Sequence, residues 1–185
     1  MSIFATSRHL IVTAFVLAAG FSMPVWAQSG LDPLLEELKT ADPARAVQIV
    51  REVEREWELS GSTSVDMLLR RGRSALEEED WRQAVEHFTA VTDHAPEFAE
   101  GYHLRATAYY RSGKFGPALS DLGHALALNP NHWDVLYGLG VLFRELGEDL
   151  RAERAFREVL ALNPHHENAA DALDSMKKLG IGQTL

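Results

Sequence analysis

Eight histidines and one run of carboxylates are the residues of this chain with the widest chemical reach. His87 and His94 stand seven positions apart, about two helical turns, so they can share one face of a helix. His165 and His166 are adjacent, and adjacent side chains diverge. With no HExxH motif, and reading no carboxylate–histidine pair at i, i+3, we expect no metal site. Glu77-Glu78-Glu79-Asp80 reads as a solvated turn at a helix end rather than an acid–base pair. There is no phosphate-cradling glycine loop and no nucleophile elbow. The absence of cysteine removes disulfides, thiolate ligation and a cysteine nucleophile. We therefore expect no enzyme, no catalytic residue and no cofactor.

The elements that would position any site are set by a repeat. Pro96, Pro130 and Pro164 lie 34 residues apart, and so do Ala84, Ala118 and Ala152. The same step relates Phe88, Leu122 and Phe156; Gly72, Ala106 and Gly140; and Leu68, Tyr102 and Leu136. Five columns sharing one period define a repeat architecture before any local reading. Each unit reads as two helices. In the middle unit Tyr102, Ala106 and Tyr109 form one apolar stripe, and Ala118, Leu122 and Ala125 form a second. Ser112-Gly113-Lys114 and Asn129-Pro130-Asn131 end the two helices. The small residue at 72, 106 and 140 lets the first helix come close to the second, where the bulky residue at 88, 122 and 156 fills the groove.

These columns resemble the tetratricopeptide repeat family. Residues 65–98 carry its pattern in Leu68, Gly72, Ala84, Phe88 and Pro96, and depart from it at Arg71 and Ala75. Residues 99–132 carry it in Tyr102, Ala106, Tyr109, Ala118, Leu122, Ala125 and Pro130, with Arg105 the departure. Residues 133–166 match at Leu136, Leu139, Gly140, Phe143, Ala152, Phe156 and Pro164. The resemblance implies an all-α, right-handed solenoid of antiparallel helix pairs. It also implies that the first helix of each pair lines a concave groove. Carried onto this sequence, the groove candidates are Arg70, Arg73, Glu77, His103, Thr107, Tyr110, Arg111, Tyr137, Val141 and Arg144. Arginine and tyrosine are the types that carry binding energy at protein interfaces, and an arginine fork matches a carboxylate. Some family members clamp a terminal carboxylate with Lys and Asn. Here those places hold Leu69 and Arg73, His103 and Thr107, then Tyr137 and Val141, so that clamp is not expected.

On either side of the repeats the chain changes character. Residues 1–27 read as a cleavable secretory signal: Arg8, an apolar run from Leu10 to Phe21, the breaker Pro24 and the cleavage motif Val25-Trp26-Ala27. Residues 28–64 read as a degenerate N-terminal helix pair started by Asp32-Pro33 and Asp42-Pro43. We expect it to be a worn repeat, with Ala46 at its alanine place and Ser64 capping the helix that follows. Residues 167–185 read as a solvating C-terminal cap helix and tail, acidic at its start and closed by lysines. The formal charge of −9 argues against a nucleic-acid partner, and no apolar stretch is long enough for a permanent span.

What this implies is a protein-binding adaptor of the bacterial cell envelope, soluble in the periplasm, that takes an extended, carboxylate-bearing segment in its groove. The competing expectation is a structural subunit of an envelope assembly that docks through the convex face or the ends of the stack.

Overall fold

The computed structural model describes residues 30–180, and the expected signal (residues 1–27) and the last residues of the tail (181–185) lie outside the described residues. The described residues form α-helices and no strand: α1 (Asp32–Leu38), α2 (Pro43–Trp57), α3 (Thr63–Glu77), α4 (Trp81–His94), α5 (Ala99–Arg111), α6 (Phe115–Leu128), α7 (Trp133–Glu145), α8 (Asp149–Leu162) and α9 (Glu167–Lys178). The turn chemistry sets the starts. Asp42 accepts the Ala44 and Arg45 N–H groups at 3.0 and 3.1 Å, and Asp80 accepts that of Gln83 at 2.9 Å. Both fill donors that a helix start leaves open. Ser64 is not a cap. It lies inside α3, whose N-cap position is Ser62.

From α3 onward, α3–α4, α5–α6 and α7–α8 pack as antiparallel-type pairs, and each second helix packs on the next first helix. The 34-residue columns are the inside of those pairs. Ala84, Ala118 and Ala152 are fully buried, and Phe88, Leu122 and Phe156 are buried opposite Gly72, Ala106 and Gly140. A Cβ on Gly72 or Gly140 would come within 3 Å of the Phe88 or Phe156 ring. The glycines therefore set the distance between the two helices of their pair. α9 packs on α8 and closes that end with Ala169 and Met176 buried.

Arg105, where the family pattern expects an apolar residue, is not a defect. Its guanidinium forks onto Asp121 at 2.7 and 2.8 Å and donates to Thr92 Oγ1 at 2.8 Å. A polar tie across α4, α5 and α6 replaces an apolar contact there. Arg71, the same departure in α3, has no such setting and is exposed. The reason is positional. The face of α5 bearing Gly101 and Leu104 packs on α4, and the corresponding face of α7 packs on α6, whereas the matching α3 residues Met67, Arg70 and Arg71 are exposed. That face is the uncovered end of the stack, and charged residues suit it.

The N-terminal pair α1–α2 exists, but it does not continue the stack as a worn repeat would. α2 lacks the packed face against α3 that α4 has against α5. Its register is also wrong: the residue 34 before Ala84 is Val50, not Ala46. Instead Leu38, Ile49 and Val53 belong to one buried cluster with Trp133, Leu136 and other residues of the second and third repeats. The contact is made by the last turn of α2. The Trp57 ring lies 4.4 Å from the His132 ring and 4.3 Å from that of Trp133, which donates to Glu54 at 3.4 Å.

Between first and second helices, Gly113 and Gly147 take φ of +74° and +73°, and Glu79, at the same place in the first repeat, takes +59°. An L-residue with a Cβ pays for that left-handed conformation and glycine does not. Glu79→Gly is expected to raise stability by about 1 kcal/mol. Chemical denaturation of the two proteins side by side checks it, and a destabilised variant would contradict the assignment.

Candidate functional site

The first helices α5 and α7 present their sides to a recess of about 530 Å³. It is lined by His103, Thr107, Tyr110, Arg111, Tyr137 and Val141 from among the sequence-derived candidates, with Ala106, Leu122, Asp134, Gly138 and Leu142. Gly138 has no side chain, so Leu122 of α6 forms part of the floor. Tyr110 spans the two helices by donating to Glu145 at 3.3 Å. Burial, then the Glu145 carboxylate, hold its phenol above the usual tyrosine pKa, so it keeps its proton. Tyr137 packs against Phe156 and His166 at ring distances of 5.6 and 5.1 Å. Tyr137 and Val141 continue into an adjoining recess of about 370 Å³ that also holds Arg144, Glu145 and Ala172. Among the described residues, neither Arg111 nor Arg144 pairs with a carboxylate, unlike Arg45, Arg73, Arg82, Arg105, Arg151 and Arg157. The wall thus joins aromatic and aliphatic groups to the Asp134 and Glu145 carboxylates and to two guanidinium groups, Arg111 and Arg144, that pair with neither.

Three of the candidates lie elsewhere. Arg70 is on the uncovered end of the stack and Glu77 is exposed in the last turn of α3. Arg73 is half-buried and engaged with other residues of the protein: its Nη2 lies 2.7 Å from the exposed Glu58 and 2.9 Å from the buried Glu100. It serves a buried polar hub that sequence reasoning missed.

Glu100 is the centre of that hub. Its side chain is 7% exposed. Oε1 accepts from Arg73, while Oε2 lies 3.0 Å from His103 Nδ1 and 3.3 Å from His132 Nε2. Burial by itself would raise the Glu100 pKa, but the two imidazoles outweigh it and hold the carboxyl well below the ordinary range. His103 shows the reciprocal effect: burial opposes its charge, and Glu100 raises its pKa above the usual value. His132 is buried at 2% exposure, and its Nδ1 finds no partner. Glu100 and His103 do stand at i, i+3, a pair the sequence reading passes over, as do Asp121 and His124. The third member, His132, ends the preceding turn and arrives only because that turn delivers it to the start of α7.

Geometry of this kind, stacked helix pairs with a concave wall of first-helix side chains, defines an α-solenoid. The sequence profile described as Tetratricopeptide repeat matches residues 69–114 and 103–167, which together span more than half of the chain. The chain belongs to the tetratricopeptide repeat family. It is 28% identical over 156 residues to a TPR repeat-containing protein of Rhizobium etli, covering 83% of this chain and 76% of that one. It is 27% identical over 128 residues to DnaJ homolog subfamily C member 3 of Gallus gallus, covering 69% of this chain but only 25% of the relative. Among solved structures it is similar to the first TPR of Spaghetti (RPAP3) bound to the HSP90 peptide SRMEEVD, with 25% identity and a TM-score of 0.60 over 62% of this chain and 91% of that one. Part of a Thermobaculum terrenum O-GlcNAc transferase mutant aligns at 26% identity with a TM-score of 0.56, covering 59% of this chain and 21% of that one. The fold thus recurs in a peptide-bound domain and within an enzyme.

Because Glu100 is buried and Arg73 is its guanidinium partner, Arg73→Glu is a folding mutation rather than a groove probe. It sets a third carboxylate beside Glu58 and Glu100. The expected loss is on the order of 3 kcal/mol, measured by denaturant unfolding with circular dichroism. A variant within 0.5 kcal/mol of the parent, roughly what a surface substitution costs, would show that the hub contributes little.

Proposed function

We propose that the protein is a non-enzymatic adaptor that takes an extended partner segment in the recess between α5 and α7. One observation carries this reading: the recess joins an aromatic–aliphatic wall to Arg111 and Arg144, which have no carboxylate partner among the described residues. An apolar side chain of the partner would enter between Tyr110, Tyr137 and Val141, and flanking carboxylates would meet the arginines. The stacked helices hold these groups in place before binding, which limits the entropy lost on docking. The partner is not expected to be a chaperone tail of the kind bound by RPAP3, because the Lys and Asn that clamp a terminal carboxylate are replaced by His103 and Thr107, then Tyr137 and Val141. The signal-like start, Arg8 through Ala27, supports a place in the bacterial envelope, soluble in the periplasm. Among the described residues no helix is long and apolar enough to cross a membrane.

A second reading, a structural subunit docking through an end of the stack, is supported by the uncovered α3 face, where Met67 is 44% exposed beside Arg70 and Arg71.

The two readings separate on paired variants. Tyr137→Ala and Arg111→Glu are expected to weaken capture of envelope partners by about tenfold or more. Met67→Asp combined with Arg71→Glu is expected to leave capture unchanged. Pull-down with quantified recovery measures both, after each variant is checked for parental helicity. The reverse pattern would move the binding surface to the end of the stack.

A further inference from the structure

We propose that Glu100, His103 and His132 close on a divalent transition-metal ion of the zinc class, bound between α5 and the turn that leads into α7. The three donor atoms lie within 4.8 Å of one another. Glu100 Oε2 stands 3.0 Å from His103 Nδ1 and 3.3 Å from His132 Nε2. A tetrahedral ion with bonds of about 2.0–2.1 Å needs donor–donor edges of roughly 3.3 Å. The two edges at Glu100 already meet it, and the two imidazole nitrogens, within 4.8 Å of each other, would draw together on the ion. Two imidazoles and one carboxylate suit zinc and its neighbours rather than magnesium or calcium, which demand oxygen ligands.

The surrounding charges favour a cation at this point. Glu58 and Glu100 supply two negative charges and Arg73 returns one positive charge, so one negative charge is left over. A proton on an imidazole or a metal ion can neutralise it, and the ion would take the place of that proton. Arg73 occupies Oε1 and leaves Oε2 for the ion, which makes it the outer partner that fixes the carboxylate. The Trp57 ring stacked on His132 shields the pair from water on one side, while His103, with its side chain 18% exposed, leaves a way in. Three protein ligands leave a fourth position for water.

The experiment uses the full chain stripped with a chelator. Zn²⁺ is titrated against a chromophoric indicator, and Co²⁺ is added separately for its visible spectrum. One tightly held Zn²⁺ per chain, with visible Co²⁺ bands of nitrogen and oxygen coordination, is the expected result. His103→Gln should weaken Zn²⁺ by at least about tenfold, since losing a ligand cannot cost less than losing its outer partner. His87→Gln should leave the affinity unchanged. His132 is buried and its replacement endangers the fold, but the Co²⁺ spectrum of the parent protein needs no variant. The proposal is overturned by a chain that takes up no stoichiometric Zn²⁺ or shows no Co²⁺ bands. It is equally overturned if His103→Gln binds as tightly as the parent. His103 also lines the α5–α7 recess, but the groups that carry the adaptor reading are Tyr110, Tyr137, Val141, Arg111 and Arg144, so Zn²⁺ uptake tests this assignment and partner capture by the Tyr137 and Arg111 variants tests the other.

Discussion

The close approach of the two helices in each pair is the constraint on which the remaining structure depends. Gly72 faces Phe88 and Gly140 faces Phe156, and in the middle pair the small Ala106 and the larger Leu122 are both buried. A phenyl ring can lie on a first helix only where that helix carries no side chain, and the ring is then removed from water on all sides. No single helix of this chain has enough apolar surface to be stable alone, so the pairs and their stacking supply the stability. With the inner sides committed to packing, the opposite sides of α5 and α7 are free to vary, and that is where Tyr110, Tyr137 and the arginines stand.

Among the described residues, buried carboxylates enter this apolar stack at two places, Asp121 and Glu100, and each time several partners hold the charge. Arg105 is held by Asp121 and Thr92, which joins three consecutive helices. Glu100 is held by Arg73, His103 and His132, which joins α3, α5 and the turn before α7. Buried charges persist only when paired and hydrogen-bonded. Both clusters meet that condition except at His132 Nδ1, the buried side-chain atom among the described residues that finds no partner.

Much of this was legible in the sequence. The 34-residue columns gave the helix pairs, the glycine-against-ring contacts and the buried alanines, because a repeated unit shows its constraints more than once. Asp42-Pro43 marked a real helix start. What could not be read was contact between residues that are neither neighbours nor in phase. His132 and Glu100 meet because a turn ends beside a helix start one repeat away, and no pattern within one helix reports that. Arg70 and Arg73 look equivalent in sequence, yet one faces solvent at an open end and the other is tied between two carboxylates. The helix pair before the repeats was misplaced for the same reason: an apolar stripe says that a face is buried, not against what.

The reach of Trp57 also changes how the chain should fold. In a stack of repeats each unit touches only its neighbours, so folding can start anywhere and unfolding can proceed from an end. Glu54 and Trp133, 79 residues apart in sequence, are brought into contact. Such a pair closes a long loop over the first two repeats, raises contact order and slows folding for a molecule of otherwise local contacts. It also couples the N-terminal pair to the third repeat, so that the ends of this short stack lose their independence and the chain behaves more as one cooperative unit than as a row of beads.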